Sequence, residues 1–477
     1  MSLNVLSPKF KSMFREYDIR GRVNEDELNK ESVYHIISAY AHFLSEMNVK
    51  SSIVGYDNRD CSPEFAEATI NALIDRGINV YYIGLSISPL AYYAQYLYSC
   101  EGAVMITASH NPNGWSGFKL AKGFSKTLEA DDVKKMYDLV LNLPNSPSII
   151  AKGTISTVNA RDNYINEIIS RIKMGPKKPK VVIDAGNGGA GLFAYELFQK
   201  LGCITFQLNC DPDTTYPHYF PNPSNIQSRE RLRNMIIHPY IKADIGVGFD
   251  GDGDRIGVID EAGNDIYSDI ILAVLAKQLL EKKSKAKIVY DVKCSKTLEE
   301  VIIANDGVPV MWITGHSYIK SKMHNIKAEL AGERSGHIFY GGDDYYGFDD
   351  AVFTAAKLLE YLSHLDKPLS EIVSEFPKYL TSPEIKAHCD DLVKYDIVSS
   401  IISDLKAQFP GKVNDICGAR VEFDDGWGLI RASSNLPELV IIFEAKTKSR
   451  LLEIREILKT VVKKYPEISE WENDIYE

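Results

Sequence analysis

Asp250, Asp252 and Asp254 stand at alternate positions in "FDGDGDR", separated by single glycines. Glycine lets a backbone curl tightly, so three carboxylates can be aimed at one centre. Hard oxygen ligands in that number suit Mg²⁺ and leave room for water or a phosphate oxygen. A calcium-binding loop fits less well: counted from Asp250, the twelfth residue is Glu261, but the sixth is Arg255 where such a loop turns on glycine. A solvated acidic turn is the plain alternative, and the glycine spacing disfavours it.

A second stretch, "AVMITASHNPNGWSGFKL" from Ala103 to Leu120, changes character in its middle. Its apolar start reads as a buried strand that opens directly into Thr107, Ser109, His110, Asn111 and Pro112. That is either a polar turn or a nucleophile held at a rigid strand end, and the stretch alone fits both.

Basic groups come in short clusters. "FREYDIRG" places Arg15 and Arg20 beside Tyr17 and Asp18, and "GLIRASSN" puts Arg431 before Ser433, Ser434 and Asn435. An Arg fork with hydroxyls and free N–H groups matches a phosphate, although either cluster alone reads equally as a surface ion pair or turn. "GERSGH" supplies Glu333, Ser335 and His337 for hydrogen bonds to a polyhydroxylated ligand, and "TGHSYIK" adds His316, Ser317 and Lys320.

These loops need elements to position them, and the chain repeats one pattern three times. "SSIVGYDNR", "PKVVIDAGN" and "AKIVYDVKC" each read as a strand followed by a helix, a glycine stop and a second strand. That order favours parallel pairing through a right-handed crossover. Each unit then has a further short strand and a polar loop: "TASHNP", "DGDGDR" and "GERSGH". Ligands gather outside the carboxyl ends of strands in open α/β sheets, so three unlike loops at equivalent places predict one shared cleft. After about Tyr379 the pattern gives way to alternating strands and an amphipathic helix, "SRLLEIREILKTVVKKY". The expected fold is α/β: three similar domains over residues 1–150, 151–255 and 256–375, then a smaller α+β domain over 376–477, around a central cleft.

The 477 residues are too many for one ordinary core, and 45% apolar with 25% charged residues is a globular composition. With 54 Lys and Arg against 65 Asp and Glu, the formal charge of −11 argues against a general nucleic-acid or anionic-membrane surface. The seven cysteines are scattered without a CxxC pair, which suggests neither a zinc site nor a disulfide framework. The start "MSLNVLSPKF" lacks a signal-peptide core and no apolar run is long enough to span a bilayer, so the expectation is a cytoplasmic protein.

Taken in order, "EYDIRG", "TASHNP" with "GFKL", "VVIDAGNGGAG", "FDGDGDR", "DVKC", "TGHSYIK", "GERSGH", "GFDD" and "RASSNLP" resemble the α-D-phosphohexomutase family, specifically its phosphomannomutase/phosphoglucomutase branch. The likeness spans essentially the whole chain. It implies a reversible isomerase that moves phosphate between the 1 and 6 positions of mannose and glucose phosphates, with hexose 1,6-bisphosphate as intermediate and activator. On the matching positions, Ser109 becomes the phosphoserine, and Asp250, Asp252 and Asp254 with its phosphoryl oxygen hold Mg²⁺. Arg20, His110, Lys119 and Arg255 surround the transferring group, with His337 or Lys119 as the first candidates for proton transfer. Tyr17 lies on the substrate side. Glu333 and Ser335 resemble the ligands of sugar hydroxyls. Arg431 and Ser433, followed by Ser434 and Asn435, resemble the clamp on the substrate's phosphate, with Lys293 and His316 nearby.

Two residues depart from the branch. Leu436 stands in a phosphate loop that commonly reads "RASNTTP", and Arg334 stands where the branch usually has Met, which adds charge to the sugar loop. The alternatives are a phosphoglucosamine mutase, which "TGHS" and "GERSGH" fit less well, and a non-catalytic sugar-phosphate-binding relative. Intact Ser109, the three aspartates and Glu333 speak against the latter. The partners implied are small phosphosugars, with no nucleic acid or membrane, and the expected state is a monomer, with a dimer as the alternative. The last domain is expected to act as a lid hinged near Pro377 to Pro383.

Overall fold

Three sheets share one plan in the computed structural model, which describes residue 5 and residues 7–143, 151–434 and 436–469. In each, a central strand, Ser51–Tyr56, Lys180–Asp184 or Lys287–Asp291, has a parallel partner on both sides. One partner, Asn79–Leu85, Ile204–Leu208 or Val308–Trp312, follows a helix: Ser62–Asp75, Gly191–Lys200 or Lys296–Ala304. The other partner, Gly102–Ile106, Ile245–Phe249 or Leu330–Gly332, turns back into an antiparallel strand. The three turns are the "TASHNP", "DGDGDR" and "GERSGH" segments. Every position of Gly102–Ile106 and Ile245–Phe249 is buried, as expected of apolar strands covered on both faces. The glycine stop occurs at Gly77 and Gly202, whereas in the third unit Asp306 takes the left-handed conformation (φ 60°) and Gly307 follows it.

Sheet pairing crosses two of the expected boundaries. Ile155–Thr157 pairs with Asn79–Leu85 at the edge of the first sheet, so that sheet continues past residue 150. Ile256–Asp260 and Asp265–Ile266 complete the second sheet, so a boundary at 255 cuts a hairpin. The physical reason is the same at both places: a sheet's outer strands complete its hydrogen bonding, and the polar loop lies inside the unit rather than at its end.

One apolar core runs continuously through parts of all three units, from Ile53 and Leu90 through Val181 and Phe193 to Ile288 and Leu358. The helix Ala351–Ser363 is buried at every position within it, which fixes the three hairpin loops relative to one another. The last unit has an antiparallel sheet in which Glu438–Ala445 pairs with Gly426–Ala432, Ile385–His388 and Leu380–Thr381. Helix Lys448–Val462 is capped by the Thr447 side chain and buries Leu451, Ile454, Leu458 and Val461, the stripe its amphipathic sequence predicts. Trp427, Leu429 and Ile442 pack against Val292. Arg420, stacked 3.8 Å over Trp427, donates to the carbonyls of Val292 and Cys294. No helix among the described residues is long and apolar enough to cross a membrane.

Candidate active site

Ser109 sits where the buried strand Gly102–Ile106 runs out. Its φ of 49° is left-handed, a conformation that costs a non-glycine residue about 1 kcal/mol and must be held by its surroundings. Its N–H donates to Thr107 Oγ1 at 2.8 Å, and its carbonyl accepts from Arg59 Nη2 at 2.9 Å. Buried Arg59 also donates to the carbonyls of Asn111 (2.6 Å) and Pro112 (3.1 Å), with Asp57 Oδ2 receiving its Nε–H at 3.1 Å. The Ser109 hydroxyl reaches across to the second unit and donates to Asp250 Oδ2 at 2.6 Å, with His110 Nδ1 3.1 Å away.

The facing loop depends on its glycines. A Cβ on Gly251 would lie 2.6 Å from the Ser109 carbonyl oxygen, so a larger residue would push the two loops apart, and Gly253 has a φ of 72°. Asp250, Asp252 and Asp254 are fully buried, with a carboxylate oxygen of each within 4.8 Å of the others. Asp252 Oδ1 and Asp254 Oδ1 have no hydrogen-bond partner among the described residues. Burial, then the proximity of Asp254 and Asp252, pushes the Asp250 carboxyl well above its ordinary range. Buried carboxylate oxygens left without partners are costly unless a cation meets them, so the three aspartates fit a divalent metal ion.

Lys119 donates from Nζ to Asp252 Oδ2 at 2.6 Å, to Ser88 Oγ at 3.1 Å and to Asp254 Oδ2. Burial opposes its charge, but Asp252 and Asp254 prevail and hold the ammonium's pKa well above the ordinary value. In this arrangement Lys119 is held as an ammonium by the two carboxylates. His337 has the complementary setting: Nδ1 lies 3.0 Å from Asp349 Oδ2, and Nε2 accepts from Arg255 Nε at 3.0 Å. Arg20 is braced by Asp18 Oδ2 at 2.6 Å and Asn111 Oδ1 at 2.9 Å. The Arg255 guanidinium, then burial, pushes the His110 pKa well below its ordinary value, so that ring is neutral.

On the opposite side, Glu333 Oε1 accepts the Gly315 N–H at 2.7 Å, and burial raises its carboxyl pKa. His316 begins the helix His316–Ile326, with its ring between Tyr17 (4.9 Å) and His337 (5.3 Å). Burial, then Lys320, pushes its pKa well down, and neither ring nitrogen has a hydrogen-bond partner among the described residues. Lys293 donates to Glu384 Oε1 at 2.8 Å. Arg431 Nε has no partner among the described residues, and Nη2 reaches only Ser434 Oγ at 3.5 Å. Ser433 Oγ accepts the Leu436 N–H at 3.3 Å, and Lys394 Nζ holds the carbonyls of Ser433 (2.6 Å) and Leu436 (3.0 Å).

A cleft of about 720 Å³ joins these groups. Tyr17, Arg20 and His110 line it from the first unit, Arg255 from the second, Lys293, His316, Glu333, Ser335 and His337 from the third, and Arg431, Ser433 and Ser434 from the last. Ser109, Lys119 and the three aspartates are buried behind that wall. Asn435 lies outside the described residues.

Four family models match along the chain: phosphoglucomutase/phosphomannomutase alpha/beta/alpha domain I at residues 11–145, domain II at 162–263, domain III at 267–379 and the C-terminal domain at 384–461. The phosphomannomutase/phosphoglucomutase of Pseudomonas syringae pv. tomato is 38% identical over 95% of each chain. The chain belongs to the phosphoglucomutase/phosphomannomutase family. A phosphoglucomutase of Neisseria meningitidis serogroup A is 36% identical over 96% of this chain and 98% of its own. A phosphoglucomutase/phosphomannomutase family protein of Burkholderia thailandensis superposes with a TM-score of 0.87 at 33% identity, covering 95% of this chain and 97% of that one.

Within this phosphoglucomutase/phosphomannomutase family member, several residues at the site escaped the sequence reading. Arg59 was visible only as part of "DNR", because its acceptors are main-chain carbonyls some fifty residues away. Asp349 lies in "GFDD" and meets His337 and Lys320, which donates to it at 3.3 Å. Ser88 donates to Asp252 Oδ2 at 2.6 Å from a helix start with no motif of its own. Arg334 corrects an expectation. Its guanidinium donates to Asp269 Oδ2 (3.0 Å) and Thr381 Oγ1 (3.1 Å) and stacks 4.7 Å over Tyr267, so its charge is paired rather than added to the sugar loop.

Proposed function

We propose that the protein is a reversible mutase in which Ser109 carries the phosphoryl group and passes it between the 1 and 6 hydroxyls of mannose and glucose phosphates. Family membership makes it an isomerase of the mutase type, acting on hexose phosphates. One observation carries the assignment of Ser109: its hydroxyl is 2.6 Å from Asp250 in the three-carboxylate cluster, buried next to His110, which lines a cleft that Arg431 also lines.

Asp250, Asp252 and Asp254 would hold Mg²⁺, which when bound supplies positive charge beside the phosphoryl oxygens. Arg20, braced by Asp18, and Arg255 add donors on the cleft side, and Lys119 is the buried cation that offsets two of the carboxylates. In the forward half-reaction a sugar hydroxyl attacks phosphorus, the bond to Ser109 Oγ breaks, and the hydroxyl proton must leave. His337 is the fitting acceptor, since Asp349 beside Nδ1 leaves Nε2 as the basic nitrogen, and Arg255 can turn from it to the phosphate. Glu333 and Ser335 orient sugar hydroxyls, with Tyr17 and His316 forming the wall beside them. Arg431, Ser433, Ser434 and Lys293 hold the phosphate that does not react. The resulting 1,6-bisphosphate turns around, and its other phosphate returns to Ser109.

Leu380–Thr381 pairs within the last sheet and Ser382 is bonded to Phe443, so a lid hinge narrows to Pro377, Lys378 and Tyr379. All seven cysteines are free thiols, which suits a reducing compartment such as the cytoplasm. The deciding experiment is a coupled assay comparing mannose 1-phosphate, glucose 1-phosphate and glucosamine 1-phosphate with catalytic bisphosphate present, alongside intact-mass analysis. Turnover of the first two with one phosphate on Ser109 is the expected result. Preferred turnover of the amino sugar, or no phosphorylation of Ser109, would overturn it.

A further inference from the structure

Lys293 and Arg431 are both largely buried, yet their settings differ. Among the described residues Arg431 has only a 3.5 Å contact to Ser434, and its Nε has no partner. Lys293 has an anionic partner, Glu384, with Oε1 at 2.8 Å. That partner comes from the other side of the hinge. Lys293 follows the strand Lys287–Asp291 of the third sheet, whereas Glu384 immediately precedes Ile385–His388 of the last sheet. Two residues before Glu384, Ser382 is bonded to Phe443 through both its N–H (2.9 Å) and its Oγ (3.0 Å), so Glu384 travels with the last sheet. Its side chain is 38% exposed and lines the cleft.

We propose that Glu384 is an internal stand-in for the substrate's phosphate: its carboxylate holds Lys293 until a phosphorylated sugar displaces it. The proposal rests on Lys293 and Arg431 being the phosphate clamp. A buried ammonium without an anion is costly, so a free enzyme needs something in that place. A carboxylate on the rim supplies one charge and can leave, because it is partly open to water. A phosphate monoester brings more charge and three oxygens, enough to engage Lys293 and the unsatisfied Arg431 together. Lys293, acting first by its charge, holds the Glu384 carboxyl at about 2, so the stand-in stays ionised at working pH. Once displaced, the carboxylate faces the bound phosphate as a like charge on the moving side of the hinge. It therefore favours release as well as competing with entry.

Glu384→Gln keeps the shape and removes the charge. Calorimetric titration of the full-length protein with inorganic phosphate and with glucose 1-phosphate should show affinity rising roughly two- to fivefold, the span of a partly exposed ion pair. The apparent KM should fall and kcat should fall with it, as release slows. A carboxylate that merely braces Lys293 predicts the reverse, since its loss would weaken binding. Glu384→Asp, with a shorter reach to Lys293, should move affinity in the same direction by less, and it serves if the Gln variant does not fold. Lys293→Ala separates the two levels of the argument. Weaker binding in Lys293→Ala with unchanged or weaker binding in Glu384→Gln overturns the stand-in and leaves the clamp. Parent-like binding in Lys293→Ala overturns the clamp, and the stand-in falls with it.

Discussion

Around Ser109, hydrogen bonds hold the main chain in place: Arg59 fixes the carbonyls of Ser109 itself and of Asn111 and Pro112 after it, Thr107 takes its N–H, and Gly251 lies against its carbonyl. Around Arg431 the supports are fewer. Lys394 holds two carbonyls of the loop, but the guanidinium itself is barely engaged among the described residues and the neighbouring Lys293 is paired with Glu384 of the last unit. The first wall joins two units that share one continuous core, while the last unit meets the third through a separate small apolar patch of Val292, Trp427, Leu429 and Ile442 and through polar contacts such as Arg420 to the Val292 and Cys294 carbonyls and Lys296 N–H to Glu444 Oε1. The contrast suits a reaction in which one oxygen must stay fixed while the ligand turns around. On the proposed mechanism, geometry is pre-set where bonds would change, while the side chains that would hold the passive phosphate are less engaged.

The largest effect is expected at the fixed wall. Ser109→Ala should lower turnover by ~10³-fold or more while leaving the unfolding midpoint within a degree or two, since an oxygen but no buried bulk is lost. Intact mass should show no phosphate at this position, and near-normal activity would remove Ser109 from the mechanism. Next, Asp254→Asn should raise the Mg²⁺ concentration for half-maximal activity by more than about tenfold, because one charged ligand becomes neutral. Chelator-resistant activity in the parent would rule the metal role out.

Arg59→Lys tests rigidity itself. One ammonium cannot serve carbonyls of Ser109, Asn111 and Pro112 at once, so kcat should fall by about 100-fold with KM nearly constant, the signature of a displaced nucleophile. A change in KM alone would show that the loop is not what Arg59 holds. At the adjustable wall, Arg431→Ala should weaken phosphosugar binding by about 1.5 to 3 kcal/mol, the range for a charge-assisted hydrogen bond. Metal dependence should stay as it was, and escape of the 1,6-bisphosphate should increase. Unchanged affinity, or no compaction in small-angle scattering on saturation, would count against a closing last domain.

The same contrast decides what was legible in the sequence. The three hairpin loops could be read because each strand end, polar run and glycine are neighbours in the chain. "DGDGDR" shows its metal chemistry within six residues. Arg59 could not be read that way, since nothing local distinguishes an arginine aimed at distant carbonyls from one in a surface turn. Asp349 stands in "GFDD", but its role appears only when folding brings His337 to it. Arg334 misled for a related reason: a charge in a sugar loop looks available until Asp269, sixty-five positions away, is found beside it. The limits at residues 150 and 255 missed because outer strands declare their sheet only by pairing.

The 2.6 Å bond from Ser109 Oγ–H to Asp250 Oδ2 has a thermodynamic corollary. In the unmodified enzyme a hydroxyl proton occupies the oxygen that a cation would need, so serine and metal are rivals for Asp250. Esterification removes that proton and brings further negative charge beside three buried carboxylates, so the rivals become mutually dependent. Reciprocity then requires that phosphorylation tighten Mg²⁺ by the same factor by which Mg²⁺ favours the phosphorylated state. Titrating the metal into phosphorylated and dephosphorylated protein measures that factor directly; equal affinities would mean that the two events ignore each other. On the proposed mechanism, dephosphorylated protein would bind the ion more weakly than phosphorylated protein, and the bisphosphate that restores the phosphate would restore that affinity too.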